Sequence, residues 1–311
     1  MKIVVAGHHR ERTGYGELAR LLALSLEGGE HEVVSHPLLT RHPPSADIVL
    51  TVSTAEEFWR CRVEGAKHIG FTMIERAIAT GLEVRLIDLV DAVIVPSEWN
   101  RRAFRDAGVA VPTYVVHPPL DPALTHSPWP IAHAPSFTFL SVFEWGRPHK
   151  DPHSLIQAFH QAFKGLPGVV LQLRTNPPPG EDLGPGVEVV PPLHRADLLE
   201  LMSQADAYVA TSRAEGWGLP AFESIALGVP VIATNFGGAL EYMNSSNTLL
   251  VAPLGLEKGR AVLDVPAMAH AMRRVHEAGR RPRQPPEDFR EMFSLERTRE
   301  ALLAVFSAAR A

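Results

Sequence analysis

Two acidic residues stand out in the segment EGWGLPAFESIALGVPVIAT, residues 215–234, because most of its other residues are apolar or small. Glu215 and Glu223 are eight positions apart, with two glycines, a tryptophan and a proline among the residues between them. Two nearby carboxylates can accept hydrogen bonds from hydroxyl groups, or can act as the general acid and the nucleophile of a hydrolase. Since burying a charge without a partner is costly, we expect both glutamates to serve a ligand.

The residues around this acidic pair predict a strand, a glycine-containing loop and a helix. The strand is DAYVAT (206–211), Pro220 suits the first turn of the helix, and Gly228 suits its end. The loop 214–218 therefore presents backbone N–H groups at a helix N-terminus and at the carboxyl end of a parallel strand, where α/β sheets bind anionic ligands. We expect both carboxylates to face one crevice.

Short apolar runs alternate with helix-length amphipathic segments along the whole chain, which predicts βαβ units and parallel sheets. Helical spacing falls at 16–27, 83–90 and 97–107, and Ser97 is a plausible N-cap. The predicted strands of the first half are 2–6, 31–36, 47–52, 66–71, 92–96 and 113–117, and those of the second half are 137–143, 168–174, 187–190, 206–211, 230–234 and 248–252.

A proline-rich segment, residues 118–135, separates the two halves and predicts a linker, because proline removes a backbone donor and fixes φ. We therefore expect an α/β protein with two halves, each built on a parallel sheet. Residues 1–130 form the N-terminal domain and residues 131–290 the C-terminal one. Residues 291–311 are expected to form a helix that packs back toward the N-terminal domain. The polar segment 278–288 predicts an exposed loop.

Composition excludes several classes of protein. The 311 residues are 45% hydrophobic and 21% charged, an ordinary globular balance, and the net charge of -5 argues against nucleic acid as a partner. Cys61 is the single cysteine, which excludes an intrachain disulfide and a cysteine-based zinc cluster. The first apolar run is too short for a signal peptide, and none approaches the ~20 residues of a membrane span. We expect a cytoplasmic protein without a transmembrane segment.

The segment SRAEGWGLPAFESIALGVPVIATNFGGALEYM, residues 212–243, resembles the E-x7-E signature of retaining glycosyltransferases of family 4. The resemblance implies an α/β protein with two Rossmann-like domains whose parallel sheets face a cleft, which is the GT-B arrangement of that family. The resemblance runs over most of residues 137–252 and is looser in the first half. It implies that Glu223 holds the nucleotide ribose and that Glu215 lies against the donor sugar. Carboxylates suit both tasks, because each accepts two or more hydrogen bonds from hydroxyl groups.

The segment SVFEWGRPHKD, residues 141–151, corresponds to a turn that in that family supplies an arginine and a lysine to the donor diphosphate. Lys150 falls on the lysine position, whereas Trp145 stands where the arginine is expected. Arg147 lies between them. We expect Lys150 to contact the diphosphate, with Arg147 either reaching it from a shifted place or leaving the clamp weaker.

Backbone groups of two loops are further candidate donor contacts. The resemblance implies that Leu193 lies in a segment that walls the base. Glycines after a strand let backbone amides approach sugar or phosphate closely. The residues proposed for these contacts are Gly216, Trp217, Gly218 and Leu219 in the first loop and Gly237 and Gly238 in the second.

The segment TGYGELA in the first half contains G-x-G-x-x-A, which formally resembles a dinucleotide fingerprint. Seven residues separate this pattern from the first strand, however, and His36 ends the second strand in place of an acid. It is better interpreted as a glycine-rich loop that contacts donor phosphate or acceptor. The residues proposed there are Gly14, Tyr15 and Gly16. Thr72 and Glu75 follow another strand and are candidates for acceptor contact, with a buried or capping role as the alternative.

Metal binding is not expected. His149 and His153 have helix-compatible spacing, but Pro152 lies between them and no third ligand is in evident reach. The chain also lacks a D-x-D pair, with which metal-dependent glycosyltransferases hold a nucleotide diphosphate. Helix termini and Lys150 would neutralise the diphosphate instead, so we expect no cofactor and no metal.

The resemblance therefore implies a retaining, metal-independent hexosyltransferase. It takes a nucleotide-diphosphate sugar as donor and an unidentified acceptor, which is a saccharide, a lipid-linked molecule or a small molecule. The donor binds mainly to the second half, the acceptor to the first, and closure about the linker brings them together. The alternatives left open are a nucleotide-sugar epimerase or hydrolase of the same architecture, a non-catalytic glycosyltransferase-like subunit and a glycoside hydrolase.

Overall fold

A computed structural model describes residues 1–9, 13–27, 29–38, 43–124, 135–280 and 282–311. The chain divides into two compact units. The first, unit 1, comprises Met1–Asp121 with Asp288–Ala311, and the second, unit 2, comprises Pro122–Glu287. Part of the predicted linker, residues 125–134, lies outside the described residues. The domain limits and domain roles inferred from the sequence stay predictions.

The strands of the described residues follow the predicted apolar runs closely, with a hairpin added near residue 260. They are β1 (Lys2–Gly7), β2 (Glu32–Pro37), β3 (Ile48–Val52), β4 (Lys67–Phe71), β5 (Ala92–Val95), β6 (Thr113–Val115), β7 (Phe137–Glu144), β8 (Val169–Asn176), β9 (Val187–Val190), β10 (Ala207–Ala210), β11 (Val231–Thr234), β12 (Thr248–Val251), β13 (Gly255–Glu257) and β14 (Arg260–Val262).

The helices lie between most of these strands. They are α1 (Gly14–Glu27), α2 (Gly81–Ile87), α3 (Glu98–Asp106), α4 (Pro152–Phe163), α5 (Arg195–Gln204), α6 (Leu219–Ala226), α7 (Val265–Glu277), α8 (Phe289–Met292) and α9 (Leu295–Arg310). Within the described part of the chain, none is long and apolar enough to cross a membrane.

Local signals fix several helix ends. Ser97 caps α3 as predicted, because its side chain accepts a hydrogen bond from the backbone N–H of Asn100. The helical segment predicted at 83–90 lies slightly C-terminal of the observed helix α2. Helix α2 starts at Gly81 because Thr80 and Glu83 form a capping box, in which each side chain bonds the other residue's backbone N–H.

The described residues of unit 1 form a parallel sheet in the order β2-β1-β3-β4-β5-β6, and those of unit 2 form one in the order β12-β11-β10-β7-β8-β9. These two sheets confirm the α/β class and the Rossmann-like topology predicted from the sequence. In the first sheet the strand order reverses between β1 and β3, and in the second between β7 and β10. Ligands of open parallel sheets bind outside the carboxyl ends of the strands at such reversals.

Each sheet has its own apolar core. In unit 1 the buried faces of α1 and α9, which include Leu22 and Phe306, pack with Ile3 and Leu50 of the sheet. In unit 2 the core joins the sheet to α4 and α7, and its members include Phe139, Leu171, Phe159 and Met268 of those elements. Burial of such side chains contributes roughly 1.5–3 kcal/mol each, so each core stabilises the strand ends that carry the polar residues.

Candidate functional site

The loop between β10 and α6 is shaped by glycine at the helix start. Gly218, the N-cap of α6, has a φ of 85° and a ψ of 61°, a left-handed conformation that L side chains rarely adopt. A Cβ at this position would also lie 3.2 Å from the Tyr242 hydroxyl. Pro220 occupies the first turn, as predicted. Gly228 ends the helix with a φ of 71°, which also agrees with the sequence.

Lys150 and Glu215 form an ion pair at the β7/β10 reversal. Lys150 ends a short 3-10 helix, Pro148–Lys150, which follows β7, and Glu215 lies in the loop after β10. The Lys150 Nζ donates to Glu215 Oε1 at 2.5 Å, and the Ser212 hydroxyl donates to the same oxygen at 2.6 Å. Their side chains are 19% and 16% exposed, so the pair is screened only weakly by water. The structure thus brings together two residues that the sequence singled out.

Backbone bonds hold the two loops of this pair together. The backbone N–H of Arg213 donates to the carbonyl of His149 at 2.7 Å, and the Thr211 hydroxyl donates to the carbonyl of Lys150 at 3.2 Å. Because these bonds flank the ion pair on both chain segments, they hold together the two loops that carry Lys150 and Glu215.

A third loop, after β11, touches the same place. The backbone N–H of Gly238 donates to the Glu215 carbonyl at 2.7 Å. Gly237 has a φ of 101° and a ψ of -171°, a region that is essentially restricted to glycine. A Cβ there would lie 3.0 Å from both the backbone N and the backbone O of Glu215. The loop packs this closely only because Gly237 lacks a side chain.

Replacing Gly237 by alanine should therefore lower the free energy of unfolding by about 1–3 kcal/mol, since the backbone conformation becomes strained. The displaced loop should also weaken any ligand binding near Glu215. Chemical denaturation measures the first effect. Gly180→Ala is the matched control, because Gly180 is exposed and a Cβ there meets nothing within 4 Å. Equal stability of the two variants would contradict the prediction.

Trp217 is a buried residue of the loop between β10 and α6. Its side chain is 1% exposed and packs against Phe222 and Tyr242. The Tyr242 hydroxyl lies 2.8 Å from the Trp217 carbonyl and 2.9 Å from that of Gly218. Burial, followed by the negative charge of Glu215, raises the pKa of Tyr242 well above its usual value, so the tyrosine stays a neutral donor. The Trp217 ring supports the loop, and its proposed contact with substrate stays a prediction.

Glu223 forms another ion pair of unit 2. It lies in α6 and is only 3% exposed. Arg195, the first residue of α5, donates from Nη2 to Glu223 Oε1 at 2.6 Å, and its own side chain is 28% exposed. This pairing explains how α6 accommodates a buried carboxylate. The sequence analysis missed Arg195, although it had assigned the same segment, including the half-buried Leu193, to the wall of the nucleotide base.

Arg147 lies in a different environment from Lys150. Its Nε is 3.0 Å from Glu144 Oε2, and both side chains are more than half exposed. Trp145 packs against Phe143 and His153. The described contact of Arg147 is thus with a surface carboxylate, and its place in a phosphate clamp stays a prediction.

Metal ligands are not grouped in the ranges that the structure describes: no cluster there holds three or more His, Cys, Asp or Glu side chains suited to an ion. His149 is 4% exposed, whereas the side chain of His153 is 70% exposed and lies 3.9 Å from Glu181. Burial raises the pKa of the Cys61 thiol to about 11, so this cysteine is an inert core residue at neutral pH.

Unit 1 brings together part of its own predicted set. Gly14, Tyr15 and Gly16 form the first turn of α1. The Tyr15 hydroxyl lies 3.2 Å from Thr72 Oγ1 and accepts a hydrogen bond from the backbone N–H of Met73 at 3.1 Å. Burial is the main cause that raises the pKa of Tyr15 to about 12, and the charge of nearby Glu75 adds to it. Tyr15 and Thr72 therefore form a neutral hydroxyl pair at the carboxyl end of β4.

Part of unit 2 matches a family of known proteins. Residues 180–257, which include Glu215, Glu223 and Arg195, match the family described as glycosyl transferases group 1. The chain is 25% identical over 241 residues to a presumed glycosyltransferase, number 45, of Sulfolobus islandicus filamentous virus (isolate Iceland/Hveragerdi). That alignment covers 74% of this chain and 68% of the viral protein.

A second relative matches only a segment. The chain is 39% identical over 88 residues to glycogen synthase of Mycobacterium tuberculosis (strain CDC 1551 / Oshkosh), which is 27% of this chain and 21% of that protein. The chain thus spans about a fifth of the glycogen synthase that it matches.

Among solved structures, HepE from Anabaena, crystallised with UDP and glucose, has a similar fold. The superposition has a TM-score of 0.72 at 17% identity and covers 99% of this chain and all of HepE. This likeness confirms the GT-B architecture predicted from the sequence. Together with the family match, it supports a glycosyltransferase.

Proposed function

We propose that this protein is a retaining hexosyltransferase of family 4 that takes its sugar from a nucleoside diphosphate donor held by unit 2. The observation that carries the proposal is the Lys150–Glu215 ion pair at the β7/β10 reversal, next to the N-terminus of α6. Glu223 lies eight positions further on, in the spacing of the E-x7-E signature, and is held by Arg195. Charged groups of both signs suit a ligand that carries phosphates and hydroxyl groups.

The proposed roles follow from charge. The Lys150 ammonium and the backbone N–H groups at the start of α6 face the diphosphate, where negative charge develops as the leaving group departs. Glu215 accepts hydrogen bonds from hydroxyl groups of the donor sugar, and Glu223 accepts them from the ribose. The main contribution to catalysis is then positioning of the donor and stabilisation of the leaving group.

The proposed reaction needs no protein nucleophile. The acceptor oxygen forms a bond to the anomeric carbon on the face that the diphosphate leaves. The bond between that carbon and the diphosphate oxygen breaks, and its electron pair stays on the diphosphate. The acceptor proton moves to a phosphate oxygen, so charge and atoms balance and the anomeric configuration is retained.

A binding screen tests the donor assignment. UDP, GDP, ADP, CMP and dTDP should be titrated into the protein by calorimetry. We expect UDP to bind best, because HepE, whose fold is similar, is crystallised with UDP and with UDP-glucose. If none of the five nucleotides binds, the proposed function is wrong.

A non-catalytic subunit is the second candidate, and one observation favours it. Trp145 stands where an arginine is expected, and Arg147 pairs with the exposed Glu144. A weaker phosphate clamp would permit nucleotide binding without turnover. Binding of a nucleotide sugar that is never cleaved, with any acceptor offered, would favour this candidate over the enzyme.

Turnover should not depend on a divalent cation, because the ammonium of Lys150 and the N–H groups of α6 already supply positive charge at the proposed diphosphate site. Initial rates of nucleotide release should be compared with and without EDTA on metal-stripped protein. Equal rates are expected. Rates that collapse with EDTA and recover with magnesium or manganese would show that this electrostatic account is wrong.

A further inference from the structure

A polar cluster in unit 1 has no role in the proposed reaction so far. It comprises His8, Ser53 and Glu57, and we name it the β1/β3 cluster. The Nε2 of His8 lies 2.7 Å from Glu57 Oε2, and the Ser53 hydroxyl donates to the same oxygen. The side chains of His8 and Glu57 are 15% and 20% exposed, so the cluster is largely buried but reaches the surface of unit 1.

Topology gives this cluster a special place. His8 directly follows β1, and Ser53 directly follows β3. The strand order of the first sheet reverses between these two strands. In unit 2 the equivalent reversal, between β7 and β10, carries Lys150 and Glu215. Since open parallel sheets bind ligands at such reversals, the β1/β3 cluster occupies the place in unit 1 where a ligand is expected.

The cluster is rigidly built. Glu57 ends a short 3-10 helix, Ala55–Glu57, and the next residue, Phe58, is 1% exposed. The Phe58 ring occupies the space that a Cβ on Gly70 of β4 would need. The backbone N–H of Ser53 donates to the Phe71 carbonyl at 3.2 Å. These contacts anchor the carboxylate and the hydroxyl to the central strands.

The charges of the cluster define what it can bind. Burial alone would raise the pKa of Glu57, but hydrogen bonds from His8 and Ser53 outweigh burial and lower it. Glu57 is therefore a carboxylate at neutral pH, and the His8 nitrogen that faces it carries a proton. Glu57 Oε1 lies 3.3 Å from the Nε of Arg60. An anionic ligand would be repelled by this carboxylate, whereas a hydroxyl group can donate a hydrogen bond to the carboxylate and accept one from a donor group beside it.

We propose that His8, Ser53 and Glu57 bind and orient a hydroxyl group of a neutral polyhydroxylated acceptor, a saccharide or a polyol. This inference rests on the proposed function, because it supplies the acceptor side of that reaction. It adds to the residues inferred from the sequence, Tyr15 and Thr72, which lie at the end of the neighbouring strand β4. Glu57 and His8 act as a unit, in which the carboxylate sets the orientation of the imidazole.

The test uses the whole chain saturated with UDP, with methyl α-D-glucopyranoside and glycerol as probes. Two-dimensional NMR of histidine-labelled protein follows the imidazole resonances of His8, and saturation-transfer NMR measures the affinity of each probe. Addition of at least one probe should shift the His8 resonances. Glu57→Gln and His8→Gln should weaken binding of that probe by about tenfold or more, as expected when a hydrogen bond to a charged group is lost.

His9→Gln is the matched control, because the His9 Nε2 bonds the Val5 carbonyl of its own strand at 2.9 Å. This variant should bind the probe as the wild type does. Circular dichroism and UDP titration check that each variant is folded.

Several results would overturn the inference. They are the absence of a His8 shift with both probes, unchanged probe affinity in the Glu57 and His8 variants, and an equal loss in the His9 variant. UDP titration separates the two proposals: a wild-type protein that binds UDP while the probes leave His8 unshifted contradicts only the acceptor site. A protein that fails to bind any nucleotide contradicts the proposed function itself.

Discussion

Replacing Lys150 by alanine should weaken UDP binding by about 10- to 100-fold while changing the affinity for uridine only slightly, since a lost hydrogen bond to a charged group costs ~1.5–3 kcal/mol. The Lys150 ammonium lies at the β7/β10 reversal and is proposed to face the diphosphate, which uridine lacks. Calorimetric titration of the variant with both molecules measures the difference. Equal losses for UDP and uridine would remove Lys150 from the phosphate site.

Two control variants sharpen this experiment. Lys164→Ala removes a lysine that is exposed at the end of α4, and it should leave both affinities unchanged. Arg147→Ala should have a much smaller effect than Lys150→Ala, because Arg147 pairs with Glu144 at the surface. A loss at Arg147 as large as that at Lys150 would instead place Arg147 in the clamp and show that its pairing with Glu144 changes when the donor binds.

Loss of the ion pair itself must be separated from loss of a phosphate contact. The Glu215 side chain is 16% exposed. In Lys150→Ala its carboxylate would keep the hydrogen bond from the Ser212 hydroxyl but lose the ammonium. Lys150→Arg keeps the positive charge and should retain most of the UDP affinity if charge alone is needed. If Lys150→Arg is as weak as Lys150→Ala, the position of the ammonium decides the affinity.

The features that could be predicted from the sequence are local ones. Buried β-branched runs separated by amphipathic segments define parallel strands and helices, because each pattern has its own period. Pro220, Gly228 and Ser97 mark helix ends through backbone chemistry that depends only on neighbouring residues. The helix start at Thr80 was missed although its capping box was readable.

The ion pairs could not be predicted in this way. Arg195 and Glu223 are 28 positions apart, and His8 and Glu57 are 49 apart. Whether such residues meet depends on the strand order and on how each helix packs, neither of which is encoded in local spacing. The order β12-β11-β10-β7-β8-β9 brings the ends of β7 and β10 together. The Lys150–Glu215 pair depends on this strand order and not on local spacing.

Glu223→Ala should weaken UDP and uridine binding to the same extent, in contrast to Lys150→Ala. The expected loss is about 10- to 100-fold, because Glu223 is proposed to accept hydrogen bonds from the ribose, which both molecules contain. Its carboxylate is 3% exposed and receives a hydrogen bond from Arg195, so it is a fixed and desolvated acceptor. Calorimetry with both ligands measures the loss, and Glu200→Ala on the exposed face of α5 is the control.

Removing one hydroxyl from the ligand gives a more specific version of the same prediction. Wild-type protein should bind UDP more tightly than 2′-deoxy-UDP, whereas Glu223→Ala should bind the two nearly equally, because the carboxylate that recognises the 2′-hydroxyl is gone. The quotient of the two affinity ratios gives the coupling free energy between the carboxylate and the hydroxyl, which general destabilisation of α6 would not produce. Glu223→Gln keeps the packing of α6 and should behave in the same direction. A variant that discriminates between UDP and 2′-deoxy-UDP as well as the wild type does would show that Glu223 serves only to pair with Arg195.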